Sequence, residues 1–428
     1  MKSIDNQPHI LQKRGLNFIL IPLKEATSVT FLILVKTGSE YEKPAEAGIS
    51  HFLEHMCFKG TKKRPSPKII STELDSIGAV YNAFTSREYT GYYAKAAVEH
   101  TDKILDIVTD IYLNSLFDHN EIEKEKGVIL EEKNYYEDTP SVKVEELIFQ
   151  LLYPDQAAGR PIIGDEKVIK NLKREDFLNY HRKHYTNKKT LIVLAGNFEK
   201  EKIINKVTSL MEEIRRGEGG KKFKTKIKKQ NKPEVLIQHK KTDQTHLILA
   251  ARTFNCFDER RYVLSVLSTI LGSGMSSRLF QTIREELGAA YYVYSFNDLS
   301  LDHGFLGVAA GLALDKTEKS LVAIKKELER LKDELVSEEE IKKAKNFIKG
   351  KLALSLETTN DYAFYFGSQY LFYNRTFSLK EIFNKIEAVD KLAVNKLAKE
   401  IFQPKSLNLA LIGPYTKKDE LRFKKILG

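Results

Sequence analysis

The chain has 428 residues, enough for two or three domains of ordinary size or for one unit copied twice. A content of 42% hydrophobic, 30% charged and 10% aromatic residues excludes a mainly disordered or collagen-like chain. Its 69 Lys and Arg against 58 Asp and Glu leave a formal charge of +11. That excess is scattered rather than gathered on one helix, so a solvated basic surface is expected and no nucleic-acid partner.

The N-terminal stretch has one basic residue, Lys2, before Asp5, Asn6, Gln7 and Pro8, so no secretory leader is expected there. Apolar runs such as 18–23 and 31–35 fall far short of the roughly 18 residues that span a bilayer, and no membrane partner is expected. Two cysteines, Cys57 and Cys256, cannot build a disulfide framework, and they fit a reducing, cytoplasmic setting.

Along the chain, residues 31–37 (FLILVKT) read as a strand, and a helical pattern follows at 49–59 (ISHFLEHMCFK). At about 100° per residue, Ile49, Phe52, Leu53 and Met56 share one side of that helix, and His51, Glu54 and His55 share the other. Two imidazoles at i and i+4 project together, as a tetrahedral zinc site requires of one helix. Chance yields only about 0.02 such H-x-x-E-H matches in a chain this poor in histidine, and the spacing is a metallopeptidase motif. Cys57 points away from His55 on the helix and is not expected to ligate.

A catalytic zinc needs a third protein ligand and leaves the fourth position to water. The next long helix is predicted from an Asn120 cap to Thr139-Pro140, with Ile122, Glu125, Ile129, Glu132 and Tyr136 within about 80° of arc. Two carboxylates therefore sit in the stripe that packs inward, where they need a cation or donors. The bland alternative is a rim of solvated glutamates on an amphipathic helix. Further on, His181 and His184 lie beside Arg182 and Lys183 and read as a solvated basic helix end. A strand at 191–196 then runs into glycine.

Residues 215–233, with three glycines and seven lysines between 221 and 232, have a linker composition. The order of features repeats beyond it. The strand 246–253 (HLILAART) echoes 31–37, Leu287-Gly288-Ala289 echoes Ile77-Gly78-Ala79, Glu340-Ile341 echoes Glu121-Ile122, and 407–413 echoes 191–196. The expected fold class is α+β, with two duplicated domains, each a largely antiparallel sheet packed with helices. The divisions are 1–214, a linker at 215–233, and 234–428. In the second copy Ala344 and Lys351 stand where Glu125 and Glu132 stood, and no His or Glu occurs in 263–271. One copy carries all the metal-binding side chains, which suits one site rather than the needs of the fold.

These marks resemble the pitrilysin family of inverted-zincin metallopeptidases, which includes insulin-degrading enzyme and the mitochondrial processing peptidases. The resemblance rests on H-F-L-E-H-M-C-F-K-G-T at 51–61, N-A-F-T-S-R-E-Y-T-G-Y at 82–92, E-K-G-V-I-L-E-E at 125–132 and S-S-R-L-F-Q-T-I-R-E-E-L-G-A-A-Y at 276–291. It implies one Zn²⁺ per chain held by His51, His55 and Glu132, the glutamate 77 positions beyond His55 (132 − 55 = 77). Glu125 takes the place of the outer carboxylate, and Glu54 that of the general base. Arg284 and Tyr291 are implied to hold the peptide and its oxyanion, with Ala289 a mild departure where Leu is usual. The strand at Asn82, Ala83 and Phe84 is expected to pair with an extended peptide. The resemblance thus implies a zinc endopeptidase acting on short or unfolded polypeptides. The length matches the small branch in which two chains close like a clamshell. A homodimer is expected, with zinc of one chain facing Arg284 and Tyr291 of the other; a degenerate paralogue is the other possible partner. The competing reading is a non-catalytic or regulatory subunit of a peptidase-like complex.

Overall fold

A computed structural model describes residues 7–428; residues 1–6, which carry most of the leader argument, lie outside the described residues. Two compact units form, each around one sheet. The first sheet uses β1 (His9–Lys13), β2 (Leu16–Pro22), β3 (Ser28–Val35), β4 (Val80–Thr85), β5 (Thr90–Ala97) and β6 (Thr190–Gly196), in the order β1-β2-β6-β3-β5-β4. The second uses β7 (Glu234–His239), β8 (Gln244–Arg252), β9 (Ala290–Leu299), β10 (Gly304–Ala313) and β11 (Leu407–Gly413), in the order β7-β11-β8-β10-β9. In each sheet one pairing is parallel, β2 with β6 and β7 with β11. The other pairings are antiparallel. Apart from β1 the two sheets have the same order and strand directions, which is the expected duplication.

Central strands such as β3, β6 and β11 are almost wholly buried, because helices cover both faces and leave no alternation with polar residues. On one face of the first sheet, Leu32, Leu34, Leu191 and Val193 pack against Ala363, Phe366 and Leu371 of the helix Thr359–Tyr373. Gly367 lets that helix sit close, since a Cβ there would lie 3.0 Å from Leu34. The opposite face of the second sheet's core places Ile248, Ala250, Ala410 and Ile412 against Val144, Leu147 and Ile148 of the helix Pro140–Leu152.

These two helices occupy equivalent places 219 residues apart (359 − 140 = 219), yet each serves the sheet built from the other half of the chain. Among the described residues the first unit accordingly comprises 7–133, 160–223 and 355–378, and the second 134–159, 224–354 and 379–428. Residues 216–233 contain no helix or strand. Part of this stretch is tied down in the first unit by Lys222 on the Glu40 carboxylate (2.6 Å) and by the Phe223 N–H on the Glu40 carbonyl (3.1 Å).

Candidate active site

The motif lies on the helix Ile49–Cys57, where Phe52, Leu53 and Met56 are fully buried while the His51 and His55 side chains keep 12% and 22% of their exposure. Its apolar side is anchored by contacts such as Phe52 edge-on to Phe177, with ring centroids 4.8 Å apart. The glutamate helix runs from His119 to Asp138. Its first free N–H groups, on Asn120 and Glu121, donate to the Asp118 carboxylate at 2.9 and 3.1 Å. Asp118 therefore caps the helix rather than Asn120, and the helix starts two residues earlier than its composition suggests. Ile122, Glu125 and Ile129 are buried on the expected stripe.

That stripe faces the motif helix. Glu132 Oε2 lies 3.6 Å from His51 Nε2 and 3.7 Å from His55 Nε2, and one ligand atom from each of the three residues lies within 4.8 Å of the others. Ligand atoms on a tetrahedral zinc at ordinary bond lengths stand about 3.3 to 3.4 Å apart, so a small contraction would close the set around an ion. The chemistry of the donors agrees. His55 Nδ1 meets Glu125 Oε1 at 2.9 Å, which places its proton there and turns Nε2 toward Glu132 as a donor of electrons. Nitrogen and carboxylate lone pairs that converge in a half-buried pocket repel one another unless a cation joins them.

Glu125 is 4% exposed, and both its oxygens are used, one by His55 and the other by Lys59 Nζ at 2.6 Å. Burial pushes its pKa up, but the hydrogen bonds to His55 and Lys59 outweigh burial and hold it below the usual carboxylate value. Burial and the neighbouring His55 ring pull His51 down to about 4. For His55, burial also pulls down, and the bond to Glu125 with the surrounding carboxylates more than reverses it. Glu54 is 9% exposed, and burial raises its carboxyl above the ordinary range even though His55 and the Thr85 hydroxyl, 2.9 Å from Oε2, pull the other way. A carboxylate poised in this way is suited to take up and release a proton. Cys57 is buried under the helix with its thiol 3.6 Å from the Tyr92 hydroxyl and its pKa pushed up to about 12, chiefly by burial. It is inert.

Asn82, Ala83 and Phe84 lie on β4, the terminal strand of its sheet, whose last residue Thr85 is the one that touches Glu54. The Asn82 side chain accepts from the Ala83 N–H at 2.9 Å. Arg284 and Tyr291 belong to the second unit, on the π-helical segment Phe280–Glu286 and at the start of β9, and the Arg284 guanidinium donates to the Tyr291 carbonyl at 3.0 Å. Tyr291 is 76% exposed, so its hydroxyl has no structural task in the core. Lys59 and Thr85 are additions to the predicted set. Their only sequence signals are that Lys59 follows His55 by four residues and that Thr85 closes the N-A-F-T run.

The helix end at 181–184 is not a solvated basic face. His184 is fully buried, stacked on Tyr180 with centroids 4.3 Å apart, and neither ring nitrogen has a partner; His181 Nε2 sits 2.9 Å from the Tyr112 carbonyl. Burial, with Lys183 and Lys189 nearby, pulls the His184 pKa from 6.5 down to about 3. The unfolded chain therefore binds a proton that the folded chain refuses between those values, and stability falls as pH drops through that window, by about 1.4 kcal/mol per unit at mid-window. Urea midpoints between pH 4.5 and 6.5 should show this slope reduced by one proton in His184→Leu; an equal slope in both proteins would remove His184 as its source.

Two family profiles match, that of the insulinase family (peptidase family M16) over residues 18–166 and that of the peptidase M16 inactive domain over residues 171–348. A Bacillus subtilis protein described as an uncharacterized zinc protease, YmxG, is 36% identical over 406 residues, covering 94% of this chain and 97% of its own. The chain belongs to the M16 peptidase family. An uncharacterized zinc protease of Rickettsia bellii is likewise 36% identical over 408 residues, covering 94% and 96%. The structure of a protease from Helicobacter pylori superposes on this M16 chain with a TM-score of 0.87 at 23% identity, over 96% of this chain and 100% of that one. That likeness concerns the fold alone. The inactive-domain profile runs from the end of the first copy into the second and includes Ala344, which stands where the first copy has the buried Glu125. No helix among the described residues is long and apolar enough to cross a membrane.

Proposed function

We propose that the protein is a zinc-dependent endopeptidase that hydrolyses peptide bonds in short or unfolded polypeptides. The observation that carries this reading is the convergence of His51 Nε2, His55 Nε2 and Glu132 Oε2 beside the Glu54 carboxylate. Those three side chains would hold a zinc ion, which would supply Lewis acidity and lower the pKa of the attacking water. Glu125 fixes the tautomer and the tilt of the His55 ring, and Lys59 holds Glu125 in place. Glu54, oriented by the Thr85 hydroxyl, takes a proton from the attacking water onto its carboxylate and returns it to the leaving amine. The open side of β4 offers main-chain groups to an extended peptide. That favours chains that can be laid out as a strand over folded substrates. Arg284 and Tyr291 are assigned to the peptide and its oxyanion.

The assigned roles are all filled in this chain, which speaks against a non-catalytic subunit. The test is direct. Purified protein should contain one zinc per chain and cleave an internally quenched peptide; a chelator should abolish cleavage, and added zinc should restore it. Turnover that survives removal of all metal would sink the proposal.

A further inference from the structure

The helix that carries His51 and His55 begins at Gly48, which has no side chain to cap it and sits at φ 100°. The cap comes instead from Glu42, six residues back. One carboxylate oxygen accepts the Gly48 N–H and the other the Ser50 N–H, both at 2.8 Å. Glu42 is fully buried, an expensive place for a charge, and the left-handed, crowded backbone at Gly48 leaves no room for a capping side chain at the cap position itself. A two-oxygen grip on N–H groups two residues apart fixes the rotation of the helix about its axis as well as its start.

The surroundings reinforce that grip. The Ser50 hydroxyl meets the Tyr180 hydroxyl at 2.8 Å, and this in turn meets Thr37 Oγ1 at 3.0 Å. The Arg160 guanidinium donates to the Glu42 carbonyl. The 163–164 backbone presses on Gly48, where a Cβ would lie 2.7 Å from the Ile163 carbonyl oxygen.

The duplicated copy provides an internal control. The offset that relates β3 to β8 (247 − 31 = 216) puts Asp258 in the place of Glu42 (258 − 42 = 216). Asp258 is half-exposed; its carboxylate takes the Arg260 side chain and one main-chain N–H, that of Arg260 at 2.9 Å, and reaches no N–H within the helix Arg261–Gly272 that follows. The copy without metal-binding residues thus manages without a buried carboxylate under its helix. We propose that Glu42 is a positioning residue for the metal centre, acting through the first turn of the motif helix to set the direction of His51 and His55. This rests on the zinc reading above.

The test compares Glu42→Gln with wild type in zinc affinity, measured by competition with a chromophoric chelator, in the visible spectrum of the cobalt-substituted protein, and in melting temperature without metal. Gln turns one acceptor into a donor facing a backbone N–H. Zinc affinity is expected to fall tenfold or more and the cobalt bands to shift. Val193→Ala, in β6, serves as a control that lowers the melting temperature without touching the helix, and it should leave both metal readouts unchanged. Zinc affinity within twofold of wild type together with unchanged cobalt bands in Glu42→Gln would overturn the proposal. Should that variant not fold, Glu42→Asp, which keeps the charge but is one methylene short, decides by the same measurements. A wild-type chain that binds no zinc would instead bring down the metal reading itself, and this proposal with it.

Discussion

Glu54→Gln should bind zinc and peptide like the wild type while kcat falls by roughly two to four orders of magnitude, the range that a positioned general base contributes. The substitution keeps the volume and one oxygen to accept from Thr85 Oγ1, now 2.9 Å from the carboxylate, but leaves no group able to take a proton. Because Glu54 is nearly buried and its carboxyl already titrates high, a neutral amide is accepted there without desolvation cost. The melting temperature should not fall, and removal of a buried charge could only help it. Zinc content and KM near wild type with turnover lost is the expected pattern. Turnover within tenfold of wild type would transfer the role of base to another group.

Removing a metal-binding side chain should have an equally large effect by a different route. His51→Ala, His55→Ala and Glu132→Ala each take away one of three donors and should leave substoichiometric zinc after dialysis, with activity lost in proportion. Glu132→Ala is the sharpest of the three, because Glu131 sits beside it in the sequence; full zinc occupancy in that variant would move the third ligand to another residue. The same chains test the expected dimer. If zinc from one chain works with Tyr291 of another, mixing His51→Ala with Tyr291→Phe chains creates some sites free of both changes, and activity should return. With Tyr291→Phe inactive by itself and exchange of chains verified, no recovery on mixing would place zinc and Tyr291 in the same chain.

The residues that could bind metal were legible in the sequence because their signals are local. Helical periodicity alone puts His51, Glu54 and His55 on one face and Glu125 and Glu132 on another, and the structure turns those two faces toward each other. The duplication was legible for the same reason, since each strand and helix repeats its own short pattern. What periodicity cannot carry is contact between residues far apart in the chain. Nothing in Pro140–Leu152 or Thr359–Tyr373 says which sheet each helix covers. Pro140–Leu152 is amphipathic and Thr359–Tyr373 is apolar and aromatic nearly all round, yet neither pattern names a partner, and only the complementary apolar surfaces of the folded units send each to the sheet of the other half. The basic residues around His184 suggest solvent, yet a buried place between Tyr180 and Tyr41 prevails because a neutral imidazole packs there as an aromatic ring. Glu42 illustrates the same limit. An acidic residue in a loop gives no hint of a partner, and its bond to the motif helix exists only because the backbone from 42 to 50 folds back on itself so that two N–H groups meet one buried carboxylate. Periodicity along each segment therefore determined which residues could act together, and long-range packing decided which of them do and what holds them there.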